Sequence, residues 1–183
     1  FYSPSAHSIN FYVQSGTCSN TATVAGVVEH EYGHGVTTRV YNAAGFGVPG
    51  YMGEGLSDCQ GGACEDTSLV GPGFFLTGGA VRNMNNTCQY PTSCGTEIHA
   101  RGLLIGGCYW HTRVQFFNAF GATGKTQMDG YLYRHFLGAP QNEIESVSDM
   151  LALDDNDGNL ANGTPNMAKF YTGFTTLHGV PFP

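Results

Sequence analysis

The spacing of hydrophobic residues changes near residue 13, and this change predicts which elements come first. Residues 1–13 combine β-branched and aromatic residues with the turn sequence SPSAHS, which predicts two short antiparallel strands. Valines then recur at near-helical spacing and predict a helix over about 21–40, which Ser19 or Asn20 could cap. Gly33 and Gly35 lower the helix propensity of this segment, which suggests that another element packs closely against it.

The remainder of the chain is predicted to be mainly helical. A glycine-rich link leads to a short helix near Gly53, and 59–96 is expected to be irregular. Helices are predicted over 99–120, 126–138 and 142–153, and Thr164-Pro165 is a good start for a last helix. That helix is expected to bury residues spaced by three and four, namely Met167, Phe170, Tyr171, Phe174 and Leu177. Strands followed by helices indicate an α+β fold. We interpret the chain as one catalytic core over 1–183. Its strands and first helix would lie in 1–50, and a mainly helical lobe would follow in 51–183.

Composition narrows the class of protein. The chain has 183 residues and a net charge of -7, and its seven Lys and Arg residues form no cluster. A nucleic-acid partner is therefore not expected. No apolar run approaches the roughly 20 residues that span a bilayer. The sequence is rich in glycine and aromatic residues and poor in lysine, a composition common in secreted proteins.

The six cysteines favour a secreted protein with disulfides, because none lies in a C-x-x-C pattern. The pairs Cys59–Cys64 and Cys88–Cys94 are close enough to close short loops, although 15 pairings are open. The chain has no signal peptide and no initial methionine. We therefore expect that a leader and pro-segment were removed or that the chain is part of a longer protein.

The sequence HEYGH at 30–34 carries the most specific chemistry. Residues four apart share one face of a helix, so His30 and His34 can bind one metal ion. Glu31 directly follows His30, and on a helix its side chain can reach a metal-bound water rather than the metal, as in the H-E-x-x-H pattern. The alternative is a core helix with two structural histidines.

The sequence GYMGEGLSD at 50–58 offers a third ligand. Catalytic zinc usually has three protein ligands, and Glu54 lies 20 residues after His34. Asp58 follows Glu54 by four, so it can accept the second N–H of a ligand histidine and fix its tautomer. The alternative makes both residues ordinary surface acids. No H-x-x-G-x-x-H continuation follows, which excludes the three-histidine metzincin type.

Together HEYGHG and GYMGEGLSD resemble the fungalysin family of secreted metallopeptidases, thermolysin-like members of the gluzincins. AVRNMNN at 80–86 and TEIHARG at 96–102 extend the resemblance over about 1–120. The resemblance implies a zincin-like catalytic core in which His30, His34 and Glu54 bind zinc. It also implies that Glu31 is the general base and then shuttles the proton.

The resemblance implies three further roles. Asp58 would orient a ligand histidine, His99 would hydrogen-bond the oxyanion, and Arg82 would hold a substrate carbonyl on the primed side. The family's second oxyanion donor is often a tyrosine, for which Tyr41 and Tyr51 are the candidates. Histidine and arginine beside a zinc site are suitable donors for charge that develops in acyl transfer.

The chain also departs from the family. Leu56 replaces a usual tryptophan, which we interpret as packing. The family's upper lobe is largely absent, so we expect an N-terminal fragment or pro-segment to complete the cleft. The looser match DDNDGNLANGTPN is rich in oxygen ligands and could bind calcium through Asp154, Asp155 and Asp157. It does not fit EF-hand spacing, and the alternative is an Asx-rich turn.

The sequence therefore predicts a secreted, zinc-dependent endopeptidase that acts on a protein or peptide substrate. Two alternatives are open. One is a narrow-specificity peptidase for a single protein or glycoprotein. The other is a non-catalytic secreted binding module with a vestigial zinc site, against which the joint presence of Glu31, Glu54, Asp58 and His99 argues.

Overall fold

The fold is α+β and about 57% helical, in a computed structural model that describes residues 1–183. Four two-residue strands form two antiparallel pairs: β1 (Tyr2–Ser3) with β2 (Ser8–Ile9), and β3 (Leu69–Val70) with β4 (Arg82–Asn83). The six α-helices are α1 (Ala25–Ala43), α2 (Gly50–Glu65), α3 (Ile98–Phe120), α4 (Ala122–His135), α5 (Glu143–Asp154) and α6 (Met167–Phe170). The predicted order of strands before helices is confirmed for the N-terminal hairpin and the later helices.

Helix α1 begins four residues later than the periodicity predicts. Thr21–Thr23 form a 3-10 turn, which the side chain of Asn20 caps by accepting from the N–H of Ala22. Helix α2 packs against α1 at Gly33, which explains why a glycine is found inside the helix. A Cβ atom on Gly33 would lie 2.9 Å from Cα of Ser57, so the missing side chain lets α1 and α2 approach closely.

Helix α2 is longer than predicted, and the expectation of an irregular chain from residue 59 is wrong up to Glu65. The cause is tertiary packing. A Cβ atom on Gly55 would collide with Cγ2 of Ile105 and with the carbonyl oxygen of Gly102, so α2 and α3 cross at their glycines. Burial along this crossing outweighs the low helix propensity of the sequence.

Of the two predicted cysteine-closed loops, one is present in the structure and the other is not. Cys88 and Cys94 form a disulfide, which confirms that loop. Cys59 and Cys64 lie on α2 as free thiols, the first buried and the second exposed, so the predicted loop between them is wrong. Cys18 and Cys108 are also free.

Fewer side chains of the C-terminal segment are buried than the spacing of its apolar residues predicts. Phe170 and Phe174 are fully buried, whereas Met167, Tyr171 and Leu177 are 39–48% exposed. Helix α6 lasts only four residues before the chain widens into a π-helix over Tyr171–Thr176. A π-helix bonds each residue to the fifth along the chain, which moves residues out of the α-helical stripe. The core itself includes residues of α2 to α5, among them Leu56, Leu104, Phe116, Leu132 and Val147.

Candidate metal centre

Three nitrogen and oxygen ligands from α1 and α2 converge on one point. The Nε2 atoms of His30 and His34 lie 3.0 Å apart. Carboxylate oxygens of Glu54 lie 3.2 Å from Nε2 of His30 and 3.6 Å from Nε2 of His34. This is the one group of three or more such side chains in the structure that could hold a metal ion.

The packing of α1 on α2 brings these ligands together. His30 and His34 are four residues apart on α1 and present their rings on one face. Glu54 lies in the first turns of α2, on the helix that passes against Gly33. The ligand set therefore depends on a close helix contact that glycine permits.

Asp58 lies beneath the ligands and contacts His30 from the other side of the ring. Its side chain is fully buried, and Oδ1 lies 2.7 Å from Nδ1 of His30. Arg82 donates two hydrogen bonds to the same carboxylate, Nε to Oδ2 at 2.9 Å and Nη2 to Oδ1 at 2.7 Å. The carboxylate is thus held between a histidine and a guanidinium, which fixes the orientation of the His30 ring.

The local charges favour a cation at this point. Burial alone would lower the pKa of His30, but its contacts with Asp58 and Glu54 outweigh burial and raise that pKa to about 9. Burial would raise the pKa of Glu54, yet His30 and His34 hold it well below the usual range. Glu54 is therefore ionised, and two carboxylates flank one imidazole.

The donor set fits a transition metal of the zinc type. Oε2 of Glu54 is buried, and neither imidazole nitrogen that lies 3.2 Å from it has the geometry of a hydrogen bond. The two facing Nε2 atoms cannot both be protonated without repulsion. A metal ion satisfies all three atoms at once. Two histidines and a glutamate are a known catalytic zinc set, so the residues fit the expected metal.

Glu31 lies in the cavity above the ligands, and a backbone group fixes its carboxylate. Oε2 of Glu31 accepts the N–H of Tyr2 at 2.7 Å. The role of Tyr2 could not be predicted from the sequence, because the contact uses its backbone N–H rather than its side chain. The cavity measures about 300 Å³ and is lined by Phe1, Tyr2, Pro4, His30, Glu31, His34, Thr38, Glu54 and His99.

His99 reaches the same cavity from the first turn of α3. Its Nε2 lies 3.2 Å from Oε2 of Glu54, and its Nδ1 lies 2.6 Å from Oε1 of Glu97. Glu97 is the N-cap of α3 and also accepts the N–H groups of His99 and Ala100. No role was predicted for Glu97, because glutamate is not among the residues preferred as N-caps.

Three other candidates lie outside the cavity. Arg82 does not line it, and two of its nitrogens are bound to Asp58, which leaves Nη1 free of that carboxylate. Tyr41 donates its hydroxyl to the carbonyl of Pro140, and Tyr51 donates its hydroxyl to that of Gln141. Neither tyrosine is placed to act as an oxyanion donor, so that expectation is corrected.

The residues expected to bind calcium are engaged with protein donors. Asp154 is buried and accepts hydrogen bonds from Tyr131 and from both nitrogens of Asn166. Asp155 and Asp157 accept backbone N–H groups within their own loop. The three carboxylates do not form a convergent ligand group, and this geometry favours the Asx-rich turn.

Comparison with known proteins adds no assignment. No family model matches the chain, and no curated protein sequence matches it significantly. None of the helices combines the length and hydrophobicity needed to cross a lipid bilayer.

Proposed function

We propose that the chain is a secreted zinc-dependent endopeptidase of the gluzincin type, with the zincin-like core that the fungalysin resemblance implies. One observation carries the proposal. The ligand group of His30, His34 and Glu54 shares a cavity of about 300 Å³ with Glu31 and His99. A structural metal site is normally closed by four protein ligands, whereas a catalytic site has three and an open position.

The cavity contains groups suited to hydrolysis of an amide bond. When bound, zinc supplies Lewis acidity, which polarises a carbonyl group and makes water acidic near neutral pH. Glu31 takes a proton from the attacking water, whose oxygen then bonds to the carbonyl carbon. As the carbon–nitrogen bond breaks, Glu31 returns the proton to the amine that leaves. The N–H of Tyr2 holds the carboxylate of Glu31 for both transfers.

His99 is assigned to the carbonyl oxygen, where negative charge develops. Its contact with Glu97 at 2.6 Å orients the ring so that Nε2 faces the cavity. A hydrogen bond to the developing charge lowers the barrier most when the donor is already oriented. Arg82 lies outside this cavity, so it would meet a substrate carbonyl beyond the cavity, through Nη1, which is not bound to Asp58.

The test combines metal content with cleavage. We expect about one zinc per chain by mass spectrometry of metals, and cleavage of casein that a chelator abolishes and added zinc restores. Zinc without cleavage of casein, gelatin or a peptide library would favour the non-catalytic binding module. Failure to take up zinc at neutral pH would overturn the assignment of the three ligands.

A further inference from the structure

The outer face of α1 carries an apolar stripe that the metal centre does not use. Val28, Tyr32, Val36 and Val40 are four residues apart and therefore lie on one face of the helix. At 1.5 Å per residue the stripe is about 18 Å long. Two cavities of about 440 Å³ and 530 Å³ lie along it and share Ile9, Tyr32 and Val36 as walls. We call these two cavities the outer groove.

One end of the outer groove contains two hydrogen-bond acceptors without partners. Oε2 of Glu29 and Oε1 of Gln60 are buried and accept no hydrogen bond. Both residues line the cavity of about 440 Å³, and Gln60 is only 3% exposed. A buried acceptor without a donor is unfavourable, so rotation of Glu29 or Gln60 toward a donor in the groove is favoured.

The same cavity has aromatic walls and no basic residue. Tyr32 and Tyr133 line it and are 59% and 41% exposed. The faces of tyrosine rings attract cations, and Glu29 places a carboxylate at this end of the groove. The only basic side chain with permanent charge along the groove is Arg39, which lines the other cavity. The end at Glu29 is therefore selective for a positive group.

We propose that the outer groove binds a polypeptide segment through a lysine side chain. The lysine ammonium is received by Glu29 and Gln60, and its methylene chain lies between Tyr32 and Tyr133. Lysine fits because a compact ammonium with three donors can reach two separate acceptors, and its stem is apolar. The stripe of about 18 Å exceeds the length of a small amine, so apolar residues beside the lysine fill the rest.

The test uses three probes on the intact protein. Acetyl-Lys-Val-Ala-Val-amide is compared with the same peptide carrying norleucine, which lacks only the ammonium, and with n-hexylamine. Binding is followed by chemical-shift changes of backbone amides, and mass spectrometry checks that the peptides stay intact. Glu29→Gln removes the charge in the groove. Asp155→Asn removes one charge elsewhere and serves as the matched control.

We expect the lysine peptide to bind at least tenfold more tightly than the norleucine peptide, with shifts at Val28, Tyr32 and Tyr133. Glu29→Gln should abolish this preference, and Asp155→Asn should preserve it. Equal binding of the two peptides, or a preference that survives Glu29→Gln, would overturn the proposal. Binding of n-hexylamine as tightly as the lysine peptide would overturn the assignment to a polypeptide. The result does not depend on zinc or on cleavage.

Discussion

The buried carboxylate of Asp58 lies 2.7 Å from Nδ1 of His30, on the side of the ring opposite the convergent ligands. Because this contact sets which nitrogen is free to bind metal, we expect Asp58→Asn to weaken zinc binding about 10- to 100-fold. Competition with a chromophoric chelator measures the change. Asp155→Asn should leave zinc affinity unchanged. An unaltered affinity in Asp58→Asn would mean that the ring of His30 is oriented by packing alone.

His34 and His99 both face Glu54, but only His34 belongs to the ligand group. We expect His34→Ala to lose zinc at micromolar metal, because two ligands remain. His99→Ala should keep one zinc per chain and lower kcat about 10²-fold, with little change in KM, since its donor acts on developing charge. Metal analysis and peptide kinetics on both variants check this. Loss of zinc in His99→Ala would make it a ligand instead.

The pairing of His30 with His34 could be predicted because it depends on local geometry. A spacing of four on a helix puts His30 and His34 on one face whatever surrounds them. The same rule relates Glu54 to Asp58 on α2. Only the contact between the two helices required tertiary information, and the glycines of α1 gave a partial signal for it.

The rest of the site could not be predicted because it depends on contacts between distant segments. Tyr41 and Tyr51 bond to carbonyls at Pro140 and Gln141, far along the chain, so spacing gives no indication of their direction. Tyr2 acts through its backbone N–H, which any residue except proline would supply. The helical state of 59–65 arises from the crossing of α2 with α3, which no local propensity encodes.

Glu31 is the only acid in the cavity outside the ligand group. Glu31→Gln keeps the size of the side chain but cannot accept a proton, so we expect kcat/KM for peptide cleavage to fall by about 10²–10⁴. Zinc content should not change. Glu65→Gln, at the exposed end of α2, is the control for charge and should retain activity. Activity that survives in Glu31→Gln would require another general base.

The crossing of α2 and α3 should be intolerant of a single methyl group. Gly55→Ala places Cβ against the backbone carbonyl of Gly102, which cannot move without shifting α3. We expect a loss of about 1–3 kcal/mol in the free energy of unfolding. Gly130→Ala is the matched control, because a Cβ atom there meets nothing within 4 Å. It should stabilise helix α4 by up to about 1 kcal/mol. Urea unfolding measures the free energy of unfolding of both variants. Equal values for the two would argue against the close crossing of α2 and α3.

His135 should make the protein less stable in acid. Burial lowers its pKa to about 4 from the ordinary value of 6.5, and its Nδ1 donates to the carbonyl of Leu132 at 2.6 Å. Below pH 6.5 the unfolded chain binds a proton at this histidine and the folded chain does not. The free energy of unfolding therefore falls as pH drops from 6.5 to 4, by about 3 kcal/mol in total from this group.

The measurement is urea unfolding of the wild type and of His135→Leu at pH 7.0 and pH 4.5, both with chelator present. Zinc release and the other histidines affect both proteins alike, so the difference between their pH dependences isolates His135. We expect the variant to be less stable at pH 7.0, because it loses the bond to Leu132, and to lose less stability on acidification. Parallel pH dependences would mean that His135 is protonated in the folded protein and that its burial is compensated by another group.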